Sequence, residues 1–160
     1  MRAQSLFRDL REHDRCVACF PGPMRNDPAI IQRLLTTTGT WAVVGLSTNT
    51  ARAAYGVSAV LQGLGQRIVP VHPRAETVHG STGVRALAEI DTPVDVVDVF
   101  VNARLAGDVV DQAIAIGARA VWLQLGVVDE AAATRAEAAG LDVVMDRCPA
   151  IEARRLGLGG

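Results

Sequence analysis

An alternation running from Trp41 to Met145 limits this chain most. Short apolar runs rich in valine take turns with amphipathic stretches that end in glycine. The runs at 41–45, 67–71, 94–100, 119–123 and 141–145 read as strands. Between them, 54–64 carries one apolar face (Val57, Val60, Leu61, Leu64) and stops at Gly65. A short helix is expected at 84–89. Segment 103–116 points Val109, Val110, Ala113 and Ile114 inward and ends at Gly117. Asp129 caps an alanine-rich helix that stops at Gly140. Strands that alternate with helices make parallel β-α-β units with right-handed crossovers. The expectation is an α/β, Rossmann-like fold: a five-stranded parallel sheet, helices on both faces, strands ordered 3-2-1-4-5.

The flanks read differently. Residues 1–26 are charged, hold two of the three cysteines and end in a proline-glycine turn. They are expected to form an appended, partly disordered extension. The domain proper is placed at 27–156. It opens with Asp27-Pro28, a cap followed by proline at the first helical position, and the apolar face Ile30, Ile31, Leu34, Leu35. A short segment follows Cys148, and 157–160 is a glycine-rich tail.

Composition excludes several classes. A net charge of -1 with interspersed charges speaks against a nucleic-acid partner. No apolar run suits a membrane span or a signal peptide. An odd cysteine count argues against a disulfide framework and fits a reducing, cytoplasmic setting. His13-x-x-Cys16-x-x-Cys19 offers three metal ligands where a structural zinc needs four, so no metal is expected.

Ligands of open α/β sheets bind beyond the carboxyl ends of the strands. The expected rim collects Gly45, Ser47, Thr48, Asn49, Arg52 and Tyr55 after strand one and His72, Pro73 and Arg74 after strand two. It adds Phe100, Asn102 and Arg104 after strand three, Gln124 and Gly126 after strand four, and Asp146, Arg147 and Cys148 after strand five. Each residue alone has a structural reading; their convergence on one rim points to a ligand. The turn is neither G-x-G-x-x-G nor a P-loop, because positions 47 and 50 are Ser and Thr and no G-K-[ST] occurs. Its hydroxyls and amides, with the N-terminus of helix 54–64, still suit a pyrophosphate. NAD-binding sheets place an Asp or Glu near the end of strand two, and here that place holds His72 and Arg74. This favours a nucleotide with extra phosphate. No histidine has an evident Ser or Cys partner, so no catalytic residue is assigned. Asp95 and Asp98 are read as structural carboxylates on one face of strand three. Cys148 is read as a packing cysteine, with a mixed disulfide to the ligand as its alternative.

From Asp27 to Leu156 the chain resembles the single-domain CoA-binding proteins, which look like the CoA-binding domain of the succinyl-CoA synthetase α subunit. The resemblance rests on Val43-Val44-Gly45-Leu46-Ser47 with Arg52 and Tyr55, on Val69–Arg74, on Pro93–Phe100, on Ala120–Gly126 and on Val144–Pro149. It implies coenzyme A as the ligand, with its pyrophosphate on the Gly45–Asn49 loop, assisted by Arg52. Arg74 is implied near the 3′-phosphate, and Leu123, Gln124 and Leu125 along the pantetheine path. The chain departs from relatives at His72, where Asn is common, and at Val101, where an Arg often follows the Phe. The synthetase's catalytic histidine lies in a domain with no counterpart here. The expected function is therefore non-catalytic binding of CoA or acyl-CoA. The alternatives are an NADP- or other nucleotide-dependent enzyme using the same rim, or a binding subunit of a larger acyl-CoA enzyme. For a homo-oligomer or protein partner, helix 27–38 and the Trp122 strand are the candidate contacts.

Overall fold

The computed structural model describes residues 24–159. The His13, Cys16 and Cys19 trio lies outside them. Five strands, β1 (Thr40–Val44), β2 (Arg67–Val71), β3 (Val96–Val99), β4 (Ala120–Leu123) and β5 (Asp142–Val144), form one parallel sheet. Among the described residues five helices, α1 (Pro28–Thr36), α2 (Ala53–Gly63), α3 (Ala103–Ala115), α4 (Glu130–Ala138) and α5 (Pro149–Arg155), cover it. The expected helix at 84–89 is a single 3₁₀ turn, Leu87–Glu89. Among the described residues no helix is long and apolar enough to cross a membrane.

The strand order is β2-β1-β3-β4-β5, which corrects the expected 3-2-1-4-5. Pro70 supplies the reason. Its missing N–H lies on the side of β2 away from β1, so no full ladder can form there, and proline belongs on an edge strand. Among the described residues only Val84 bridges to that edge. β3, whose valines are buried on both faces, takes the protected place between β1 and β4.

Alternate residues of each strand feed two cores. Trp41, Val43, Val96, Trp122 and Val144 pack with α1, α2 and α5; Ala42, Val97, Val121, Leu123 and Val143 pack with α3 and α4. Trp122 is fully buried, with its indole N–H donating to the Arg147 carbonyl (2.9 Å), so the interior strand β4 offers no partner surface. Asp27 caps α1 as expected. The chain joins the domain two residues earlier: Arg25 pairs with Glu130 and Glu137 on α4, and the Asn26 side chain accepts from Met145 N (2.7 Å) just past β5. Leu158, in the tail, packs against the α1/α2/α5 core.

Asp95 and Asp98 do not share a face, since residues three apart on a strand point to opposite sides. Asp95 stands at the amino end, where it accepts from Thr40 N (2.8 Å) and faces Arg119 (3.8 Å). Asp98 is fully buried.

Candidate functional site

β1 lies between β2 and β3, so the topological switch opens at the carboxyl end of β1. Gly45 closes that end at φ 98, with its N–H donating to the Val71 carbonyl at 2.8 Å. A Cβ here would overlap the Phe100 carbonyl oxygen. Only glycine brings the ends of β1 and β3 this close.

The following loop is tied internally. Ser47 Oγ accepts from Asn49 N (3.3 Å) and Asn49 Oδ1 from Ala51 N (3.0 Å). Asn102, Asp129 and Asp27 cap α3, α4 and α1, whereas α2 has no side-chain cap and presents Ala53 and Ala54 to a cavity. Unpaired first-turn amides carry the positive end of the helix dipole.

That cavity has a volume of about 690 Å³. It gathers Gly45, Ser47, Asn49, Arg52, His72, Pro73, Arg74 and Phe100, all expected on the rim. It also contains Arg85, Leu105 and Gln112, which sequence reading missed. Arg85 follows a long loop with no local pattern, so nothing in the sequence points it at the site. A second cavity, about 450 Å³, adjoins the first and shares Arg52, Ala53, Phe100 and Val101 with it. Its further lining includes Gln124, Leu125, the half-buried Cys148 and Ile151.

Seven expected residues lie off both cavities: Arg104, Gly126, Asp146 and Arg147 at the outer rim, and Thr48, Tyr55 and Leu123. Thr48 gives its N–H (2.8 Å) and hydroxyl (3.0 Å) to Glu76 Oε2. The Tyr55 ring packs on His79, with centroids 4.3 Å apart. Leu123 is buried in the α3/α4 core, so the pleat turns its side chain away from the rim. Glu76 also corrects the reading that no acid stands near the end of strand two, since Arg74 Nε lies 3.4 Å from its carboxylate. The Thr48 hydrogen bonds, helped by Arg74 and His72, hold that carboxyl below its ordinary range.

Beneath the rim, Gln124 Nε2 donates to Asp98 Oδ1 (2.5 Å), and among the described residues Oδ2 has no partner. Burial pushes the Asp98 carboxyl up to about 8, outweighing the Gln124 hydrogen bond. Asp98 is therefore a neutral acid over most of the acidic and neutral range.

A family model described as a CoA binding domain matches residues 39–154. The chain belongs to this family. It is 35% identical over 120 residues to the uncharacterized protein YneT of Bacillus subtilis, covering 75% of this chain and 89% of that one. A hypothetical protein from Pyrococcus horikoshii shares 33% identity at a TM-score of 0.78, over 86% of this chain and 97% of that one. A dinucleotide-forming acetyl-coenzyme A synthetase of Ca. Korarchaeum cryptofilum, in complex with phosphate and ADP, is 19% identical at a TM-score of 0.62. The match covers 72% of this chain and 27% of the synthetase, and it is a likeness of fold.

Proposed function

We infer that the protein binds coenzyme A or an acyl-CoA at the carboxyl end of the sheet, without catalysing a reaction itself. The observation that carries this is the pair of joined cavities. One is basic, with Arg52, His72, Arg74 and Arg85; the other is largely apolar. CoA has the same two-part character, a phosphorylated ADP joined to a pantetheine arm.

In this reading the pyrophosphate lies against the Gly45 turn and the open amides of α2, where backbone N–H groups and the dipole favour anions. Arg52 stands where the cavities meet and reaches the diphosphate. Arg74 and Arg85 reach the 3′-phosphate, each able to pair with it bidentately. Arg85 makes up for the cation that Val101 does not supply, since both line the same cavity. The two described histidines are engaged with backbone groups. Among the described residues His72 Nδ1 accepts from Arg74 N and His79 Nε2 meets the Tyr55 carbonyl, and neither bonds a serine or cysteine.

Glu76 favours a second reading. A carboxylate beside Thr48 suits free ribose hydroxyls, as in an NAD-dependent enzyme. Calorimetric titration with CoA, dephospho-CoA, NADH and NADPH separates the two. CoA is expected to bind at least about ten-fold more tightly than dephospho-CoA, as one charged hydrogen bond implies. Equal affinity for that pair removes the 3′-phosphate argument; tighter NADH binding selects the second reading.

A further inference from the structure

The second cavity differs in chemistry from the first. Its walls are hydrocarbon apart from Arg52, Asn102, Gln124 and the Cys148 thiol. Leu125 and Ile151, 63% and 38% exposed, extend that apolar lining outward at the mouth. Arg52 also belongs to the basic cavity, and Asn102 is committed to capping α3 through Arg104 N (3.1 Å). Gln124 is different. It is 5% exposed, lines the cavity, and is anchored from below by Asp98.

We propose that this cavity is an acyl subsite that takes a short, uncharged aliphatic acyl group of an acyl-CoA, with Gln124 as the polar contact for the thioester carbonyl. The proposal rests on the CoA reading, which sets the nucleotide in the basic cavity and so directs the thiol end here.

Asp98 makes Gln124 suitable for this role. A buried carboxyl that keeps its proton has both a donor and acceptors. It can accept from the Gln124 amide, or donate its own O–H to Gln124 Oε1, which turns the NH₂ toward the cavity. A carbonyl oxygen needs that donor. Apolar walls discriminate by area, and each buried methylene is worth roughly four-fold in affinity. A terminal carboxylate on the acyl group would lose its hydration here, with no cation beyond the shared Arg52 to receive it.

The test is calorimetric titration of the unmodified protein with adenosine 3′,5′-bisphosphate, CoA, and acetyl-, propionyl-, butyryl- and malonyl-CoA. Expected is measurable binding of the bisphosphate and CoA. Affinity then rises about four-fold per methylene from acetyl to butyryl, and malonyl-CoA binds no more tightly than CoA. In Ile151→Glu, which places a charge at the mouth, the rise with chain length is expected to disappear. If the bisphosphate and CoA bind but the acyl series is flat, or malonyl-CoA binds best, the acyl subsite is overturned and the CoA reading stands. If neither the bisphosphate nor CoA binds, both fall.

Discussion

The two ends of the sheet use polar residues in opposite ways. At the amino end, polar side chains are matched to one another or to the backbone. Gln66, almost fully buried, accepts from Gly39 N (2.8 Å) and donates toward the carbonyls of Leu34, Leu35 and Thr37. Arg33 pairs with Asp142, and Asp95 takes Thr40 N and faces Arg119. At the carboxyl end, Arg52 and Arg85 line a cavity with no carboxylate within ion-pair distance among the described residues. α2 starts uncapped there. One end closes the fold; the other leaves hydrogen-bonding capacity open, as the proposed CoA site requires. Arg52 and Arg85 are exposed, so water rather than protein satisfies them, which leaves both open to an anion.

Substitutions at the two ends test that contrast. Gly45→Ala should have the largest effect, because a left-handed φ and an overlap with the Phe100 carbonyl act together. Loss of about 3 kcal/mol of stability and of CoA binding is expected, read by thermal unfolding and calorimetry. Retained binding would show that the turn tolerates a side chain and does not cradle the ligand.

Next is Asp98. Its folded-state pKa is raised, so the native state holds a proton that the unfolded chain gives up near 3.8. That contribution is complete below the unfolded value and drains away as pH rises to about 8. Melting temperature should decline across this window, and Asp98→Asn should flatten the decline. An unchanged slope in the variant would assign the pH dependence to other groups.

Gln66→Leu, at the amino end, strands the Gly39 N–H and three carbonyls. A loss of about 1–3 kcal/mol is expected, with CoA affinity unaltered. Arg85→Ala should do the reverse, lowering CoA affinity by about ten-fold while the melting temperature stays put. Arg33→Ala should move stability by at most about 1 kcal/mol, since the pair is solvent-exposed, and leave binding untouched. If Gln66→Leu weakens CoA binding as much as Arg85→Ala does, the division of labour between the ends is wrong.

Local signals in the chain are dependable where one residue type answers one geometric need. Asp27-Pro28 starts α1, Asp129 starts α4, and Gly45 stands in the turn that only glycine can make. Pro70 also carries the edge-strand information, although the commoner winding points to a different strand order. The pairing of Asp95 with Asp98 on one face fails on simple parity. A family string places Leu123 at the site, yet the pleat aims its side chain into the core. Glu76 follows the His72-Pro73-Arg74 segment closely in the chain, and only folding of the loop carries its carboxylate to Thr48, 28 residues away.

Periodicity and turn chemistry, acting over a few residues, were enough to determine the element types, the parallel α/β class and the end of the sheet where the reactive side chains gather. Tertiary structure alone decided the strand order, the burial that keeps Asp98 protonated, and the meeting of Arg85, Gln124 and Ile151 with Arg52 around two joined cavities. Those contacts span tens of residues and depend on how helices and loops pack over the sheet, which no local pattern encodes.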